Sequence, residues 1–259
     1  MTEQATNPKR VLVTGSTGAI GEPVCERLMA RGHFVRGFAR RPSPVAHEFV
    51  QGDLNDRDKV YEAVKGMDVV IHLGAYPNPA DFIDVLLQPN VVGLYYICEA
   101  AKDLGVQRLV LASTMQTVSG HGWEERKVTI EEGPAPVNHY ALTKVWAEEA
   151  GAMYARVHNL SVINVRIGWL PRNAEEAERL NSRSLGPDTF FSHRDAQLFH
   201  QLCVESPNPG PGEAVTLFAT SRPKYIERMD LEPARRVLGY EPQDVWPAGL
   251  PYELPFEVE

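Results

Sequence analysis

From Arg10 onward the chain alternates short apolar, β-branched runs with longer amphipathic stretches, the pattern of parallel strands covered by helices. Val11 to Thr14 reads as a first strand, Ile20 to Arg31 as a helix closed by Gly32, and His33 to Phe38 as a second strand. Phe49 and Val50 end a third strand, Asp56 to Lys65 is helical, and Asp68 to Leu73 reads as a fourth strand buried on both faces. Asp81 to Leu104 carries one long helix, Arg108 to Ala112 a fifth strand, Tyr140 to His158 a second long helix, and Ser161 to Val165 a sixth strand. After Arg166 the rhythm fails. Pro171 to Gly212 is rich in Pro, Gly, Asn and charge and shows only a helix around Arg194 to Cys203; a short strand near Ala214 to Phe218 and a helix near Leu231 to Leu238 follow. The pattern predicts an α/β fold with a doubly wound parallel sheet over residues 10–168. A flexible segment, 1–9, precedes it, and a small interwoven cap, 169–259, closes over the carboxyl ends of the strands, where open α/β sheets bind ligands.

Composition narrows the partners. The 259 residues suit one large α/β domain with a small appendage, and 43% hydrophobic with 23% charged residues is ordinary for a globular chain. A net charge of -8 argues against nucleic acid, whose binders carry a basic face. Cys25, Cys98 and Cys203 are far apart, odd in number and set in apolar or helical stretches, so they read as reduced buried thiols and point to the cytoplasm. Residues 1–10 lack the apolar core of a signal peptide, and no later run has the length of a membrane span. A small molecule is the expected partner; no metal and no membrane are expected.

The sharpest local signal is Gly15-Ser16-Thr17-Gly18-Ala19-Ile20-Gly21, a G-x-x-G-x-x-G turn between a strand and a helix. Gly15 permits the tight turn, Gly18 lets the backbone, with Thr17, Ala19 and Ile20, approach a pyrophosphate, and Gly21 lets the helix pack against the strand. This makes the sheet Rossmann-type and the ligand a nicotinamide dinucleotide. An NAD-preferring site usually has an acidic residue after the second strand; here Arg40 and Arg41 stand there, so NADP is the expected cofactor, its 2′-phosphate paired with the two guanidinium groups. Solvated loop arginines and NAD are the alternative. Asp53, followed by Leu54, is placed to meet the adenine amino group, with a turn role as competitor. Leu73, Gly74, Ala75 and Tyr76 end the fourth strand beside the expected cofactor.

Tyr140 and Lys144 are four residues apart on one helical face. A free tyrosine has a pKa of about 10 and is a poor base unless a positive charge favours its phenolate; Lys144 and an oxidised nicotinamide are the two candidates. Ser113 and Thr114, after the fifth strand, offer a hydroxyl to polarise the substrate oxygen. With these motifs, together with Gly52-Asp53-Leu54, His72-Leu73-Gly74-Ala75 and Asn90, the chain resembles extended short-chain dehydrogenase/reductases, the NAD-dependent epimerase/dehydratase family. Ile71-His72-Leu73-Gly74, Val165-Arg166-Ile167-Gly168 and Phe191-Ser192-His193-x-Asp195 look most like its uronate dehydrogenase-like subgroup.

The resemblance implies Tyr140 as general acid/base, Lys144 as the group that lowers its pKa and holds the nicotinamide ribose, Thr114 as the polarising hydroxyl, and Asn90 near the cofactor. It also implies a homodimer paired through the two long helices. The substrate positions depart from the subgroup: Met115-Gln116 replaces Asn-His, while Pro77 and Trp169 each stand where a serine is expected, so that Tyr76, Met115, Gln116 and Trp169 shape a less polar pocket. Of Arg172, Arg179 and Arg183 in the cap, Arg183 is the candidate clamp for a carboxylate, and His193 and Asp195 are read as caps of a helix start. The function these features imply is hydride transfer between NAD(P) and a small hydroxyl or carbonyl compound, a sugar or sugar acid among them. The alternatives are an epimerase or dehydratase that retains its cofactor, and a non-catalytic dinucleotide sensor.

Overall fold

The computed structural model describes residues 4–42, 44–122 and 126–258. Seven parallel strands form one sheet in the order β3-β2-β1-β4-β5-β6-β7. They are β1 (Arg10–Thr14), β2 (Phe34–Ala39), β3 (Glu48–Gln51), β4 (Val69–His72), β5 (Arg108–Thr114), β6 (Ser161–Ile167) and β7 (Ala214–Ala219). Side chains alternate across the sheet and build a core on each face. Val11, Val13, Ile71, Val110 and Ile163 pack with α1 (Gly21–Ala30) and α7 (His193–Glu205). Leu12, Val70, Leu109, Leu111 and Val162 pack under α2 (Arg57–Val64), α3 (Gly93–Asp103) and α4 (His139–His158). The strand order reverses between β1 and β4, so the crevice at their carboxyl ends is where a sheet of this kind opens to a ligand.

The expected helix from Asp81 to Leu104 is two elements. Phe82–Val92 is π-helical and runs into α3. Pro89 explains this: a proline has no N–H to donate, and its ring crowds the carbonyl four residues back, so the chain widens to bonds of five-residue span. Leu86 N–H donates to the Asp81 carbonyl at 3.1 Å in that pattern.

Residues 169–259 also divide differently from the expected cap. Strand β7 extends the sheet beside β6, and α7 packs on α1, with Arg27 Nε donating to Gln201 Oε1 at 2.6 Å and Arg31 paired with Glu205 at 2.8 Å. Two helices absent from the expectation, α5 (Ala174–Asn181) and α6 (Gly186–Thr189), follow β6 and form the lip of the crevice. Asn173 caps α5 through Glu176 N–H. The last helix, α8, is Glu232–Leu238.

Helix α7 starts under Ser192, whose hydroxyl accepts from Asp195 N–H at 2.9 Å. Asp195 therefore does not cap its helix. Its buried carboxylate accepts from Ser221 Oγ, Gln243 N–H and Asp244 N–H and ties the C-terminal segment down. His193 does not cap it either; its Nε2 bonds the Pro171 carbonyl at 3.2 Å and its ring also bonds the main chain of Ala19, joining the lip to the glycine turn.

Candidate active site

A cavity of 1310 Å³ runs along the carboxyl ends of the strands. One end is walled by Gly15, Thr17, Gly18, Ala19, Ile20 and Gly21, the other by Thr114, Tyr140, Lys144 and Trp169. Arg40, Arg41, Asp53, Leu54, Leu73, Gly74, Ala75, Tyr76, Met115, Gln116 and Arg183 also line it.

Gly15 has φ +67°, and a Cβ there would meet Gly74 N at 2.9 Å, because the turn after β1 lies directly against the end of β4. At Gly21 the close neighbour is the turn itself rather than the strand: a Cβ would fall 2.2 Å from the Gly15 carbonyl oxygen and 2.8 Å from Ser16 Cα. Helix α1 thus begins flush on the turn, and no side chain caps it. Glu22 and Val24 N–H are already taken by the Gly18 and Ile20 carbonyls and Pro23 has none, so the amides nearer the turn and the positive dipole end are what remains for a ligand, which fits a pyrophosphate. Thr14 hydroxyl accepts from Gly74 N–H at 3.1 Å and is hydrogen-bonded to His72 Nδ1, 2.9 Å away, pinning the turn from beneath. Burial, then the nearby Lys144 charge, pushes the His72 pKa down to about 3, so this ring stays neutral.

Arg40 and Arg41 are exposed at the cavity edge just past β2. Asp53 Oδ1 accepts from Asn55 N–H at 3.0 Å, the turn contact that competed with an adenine role. Asn90, placed near the cofactor by resemblance, is held away from the cavity wall. Its side chain bonds both Tyr76 main-chain groups, at 2.7 and 3.1 Å, and Thr143 Oγ1 at 3.2 Å, stapling the loop after β4 to α4.

Asn138 caps α4 by accepting from Ala141 N–H at 2.8 Å, and its amide also donates to Gln116 Oε1 at 3.1 Å. Tyr140, Lys144 and Thr114 are buried, each 6% exposed. Burial pushes the Tyr140 phenol up to about 12, against a hydrogen bond from Thr114 and the charge of Arg172, which both favour phenolate. Burial pulls Lys144 down to about 8. Its Nζ donates to the Ala112 carbonyl at 2.9 Å and lies 5.9 Å from the centre of the Tyr140 ring.

Ser113 behaves differently from its neighbour. Its hydroxyl donates at 2.5 Å to Glu148 Oε1, and Arg166 closes the other side of that carboxylate through Nε and Nη2 at 2.9 and 2.8 Å. A second pair that the sequence reading missed stands in the cavity wall: Arg172 with Glu176. The spacing of four residues was its visible signal; that it faces the cavity was not visible.

A glycine turn at the switch point, with a buried Thr-Tyr-Lys group at the other end of the same cavity, defines a dinucleotide-binding protein of the Rossmann class. The chain matches the NAD dependent epimerase/dehydratase family over residues 11–170 and belongs to it. It is 31% identical over 256 residues to L-arabinose 1-dehydrogenase (NAD(P)(+)) of Haloferax volcanii, covering 91% of this chain and 96% of that one. An NAD-dependent glucose-6-phosphate dehydrogenase of the same organism is 29% identical over 255 residues, covering 90% and 93%. Among solved structures, a mutant uronate dehydrogenase from Agrobacterium tumefaciens complexed with NAD superposes with a TM-score of 0.77 at 28% identity, covering 92% of this chain and 86% of the other.

Proposed function

We propose that this protein is an NAD(P)-dependent dehydrogenase of a small sugar or sugar acid, with Tyr140, Lys144 and Thr114 as its reacting set. The observation that carries the reading is that buried Thr114, Tyr140 and Lys144 stand together in the wall of the cavity that begins at the glycine turn. The relatives named above, two sugar dehydrogenases and a uronate dehydrogenase, support the substrate class.

When bound, the oxidised nicotinamide accepts the hydride from the carbinol carbon. Thr114 and Tyr140 hold the carbinol oxygen between them, and Tyr140 takes its proton as the carbonyl forms. With a phenol pushed up to about 12, Tyr140 is a base only when further positive charge favours its phenolate; Lys144 and the cationic cofactor are suited to supply it. Ser113, its hydroxyl committed to Glu148, is left out of the reacting set and helps hold α4. Gly15 to Gly21 would hold the pyrophosphate, and Asp53 and Leu54 the adenosine end. Arg40 and Arg41 favour NADP by pairing with its 2′-phosphate.

Incubation with NAD or NADP and a panel of sugars and sugar acids tests this. Turnover seen as nicotinamide absorbance is expected to fall about 10²–10⁴-fold in Tyr140→Phe; an undiminished rate there refutes the mechanism. Tight cofactor retention with no net absorbance change would instead favour an epimerase.

Two further parts belong to the proposal. Leu142, Trp146, Met153 and Val157 leave an exposed apolar stripe along α4, which supports a homodimer paired through that helix; a monomer by light scattering would contradict it. Cys25, Cys98 and Cys203 are free and buried, which supports a reducing, cytoplasmic setting that cell fractionation checks.

A further inference from the structure

At the substrate end of the cavity, Arg172 is already occupied by a carboxylate of the protein itself. Its Nε donates to both Glu176 oxygens at 2.9 and 3.0 Å, its Nη2 bonds Oε1, and its main-chain N–H donates to Oε2 at 3.0 Å. Both residues line the cavity, and the Glu176 side chain is only 11% exposed. Burial opposes the charged form of Glu176, but the hydrogen bonds from Arg172 outweigh it and hold the carboxyl below its usual pKa. This guanidinium lines the same cavity as Tyr140, and its charge favours the Tyr140 phenolate.

We propose that the Arg172–Glu176 pair selects an uncharged, polyhydroxylated sugar and rejects the corresponding sugar acid. A guanidinium pairs with a carboxylate through two parallel N–H groups on one edge, and Glu176 holds the Nε/Nη2 edge of Arg172. A substrate carboxylate would have to displace the buried Glu176 carboxylate or take the remaining edge beside it, and two like charges side by side on one guanidinium are unfavourable. Neutral hydroxyls carry no such penalty, since they accept from the guanidinium protons left over.

The other arginines do not offset this. Arg179 lies 3.9 Å from Glu176 with its side chain 62% exposed, against 41% for Arg172 and 11% for Glu176, and Arg183 is exposed too, so water and salt screen these cations more than the buried carboxylate. On this proposal the pair, and not Arg183, which also lines the cavity, decides how a carboxylate is met. Met115, Trp169 and Leu185 add apolar wall, suited to the C–H faces of a sugar ring.

The inference rests on the dehydrogenase reading, and matched substrates separate the two. Rates with NAD and NADP are measured for D-galactose against D-galacturonate and for D-glucose against D-glucuronate. In the wild type, kcat/KM for the aldose is expected to exceed that for the uronate by roughly 100-fold. Glu176→Gln, which keeps the size and the hydrogen bonds to one of the two oxygens but removes the charge, is expected to narrow that ratio by about 10-fold or more, chiefly through a lower KM for the uronate. Calorimetric titration of the protein saturated with reduced cofactor should rank the same sugars in the same order. A uronate preference in the wild type, or an unchanged ratio in a folded Glu176→Gln, overturns the inference and leaves the dehydrogenase standing. Turnover of neither class overturns both.

Discussion

Removing Glu148 alone should damage this protein more than removing Glu148 and Arg166 together. The carboxylate is the acceptor for Ser113 Oγ and for two guanidinium nitrogens, and the side chains of the ion pair are 7% and 3% exposed. Arg166 Nη1 already has no hydrogen-bond partner, and its guanidinium stands 5.5 Å from the centre of the Phe218 ring. Glu148→Leu would therefore strand a buried cation with no carboxylate beside it, a loss of about 3–5 kcal/mol. At about 2–4 °C per kcal/mol for a chain of this size, that is a fall of roughly 6–20 °C in Tm. In Glu148→Leu/Arg166→Met no charge is stranded and apolar volume replaces the pair, leaving only the Ser113 hydroxyl without its acceptor, so the loss should shrink to about 1–3 kcal/mol, below that of Glu148→Leu. Chemical denaturation of the four proteins gives the coupling energy directly. A Glu148→Leu loss below about 1 kcal/mol, or a double variant no better than the worse single one, would refute the reasoning.

Two other outcomes follow from groups in the cavity. Lys144 has a pKa pulled from 10.5 down to about 8 by burial, so between pH 8 and 10 the unfolded chain binds the extra proton and the Lys144 contribution to stability rises with pH; below pH 8 both states are protonated and that contribution is flat. The buried thiols of Cys25, Cys98 and Cys203, pushed up by burial, lower stability over the same range, so denaturation at pH 8 and pH 10 should show a less negative slope in the cofactor-free wild type than in Lys144→Met, and an equal slope in both would remove burial of Lys144 as a cause. For the cofactor, Arg40→Ala/Arg41→Ala is expected to weaken NADP binding about 10-fold or more while leaving NAD within about 2-fold, read from dissociation constants; tighter binding of NAD than NADP by the wild type would discard the NADP preference.

Local rules reached much of this molecule. Alternation at Val11, Leu12 and Val13 predicts a strand covered on both faces, and those residues fall into the two opposite cores. The spacing of Tyr140 and Lys144 on one helix, and of three glycines between a strand and a helix, depends only on neighbours in sequence. The π-helical turn was also locally encoded, in Pro89, but an apolar periodic pattern around one proline reads first as a plain helix.

The roles of the paired hydroxyls needed one further step that the sequence does allow. Along β5, Leu109 and Leu111 pack in the core beneath α4 with Ala147 and Tyr154, and Ser113 shares their parity, so its hydroxyl is carried to Glu148 on that helix. Thr114, of opposite parity and at the strand's end, is the one left to meet Tyr140. The charged pairs mark the boundary of what sequence alone reveals. Glu148 and Arg166 come from a helix and a strand, and pairing them requires knowing how α4 lies on the sheet. Arg172 and Glu176 are four residues apart, a spacing that ordinary surface helices also carry, and here Arg172 stands just before the Asn173 cap of α5. What makes the pair chemically consequential is burial of one member in the wall of a cavity shared with Tyr140, a property of the packed lip and not of the two residues.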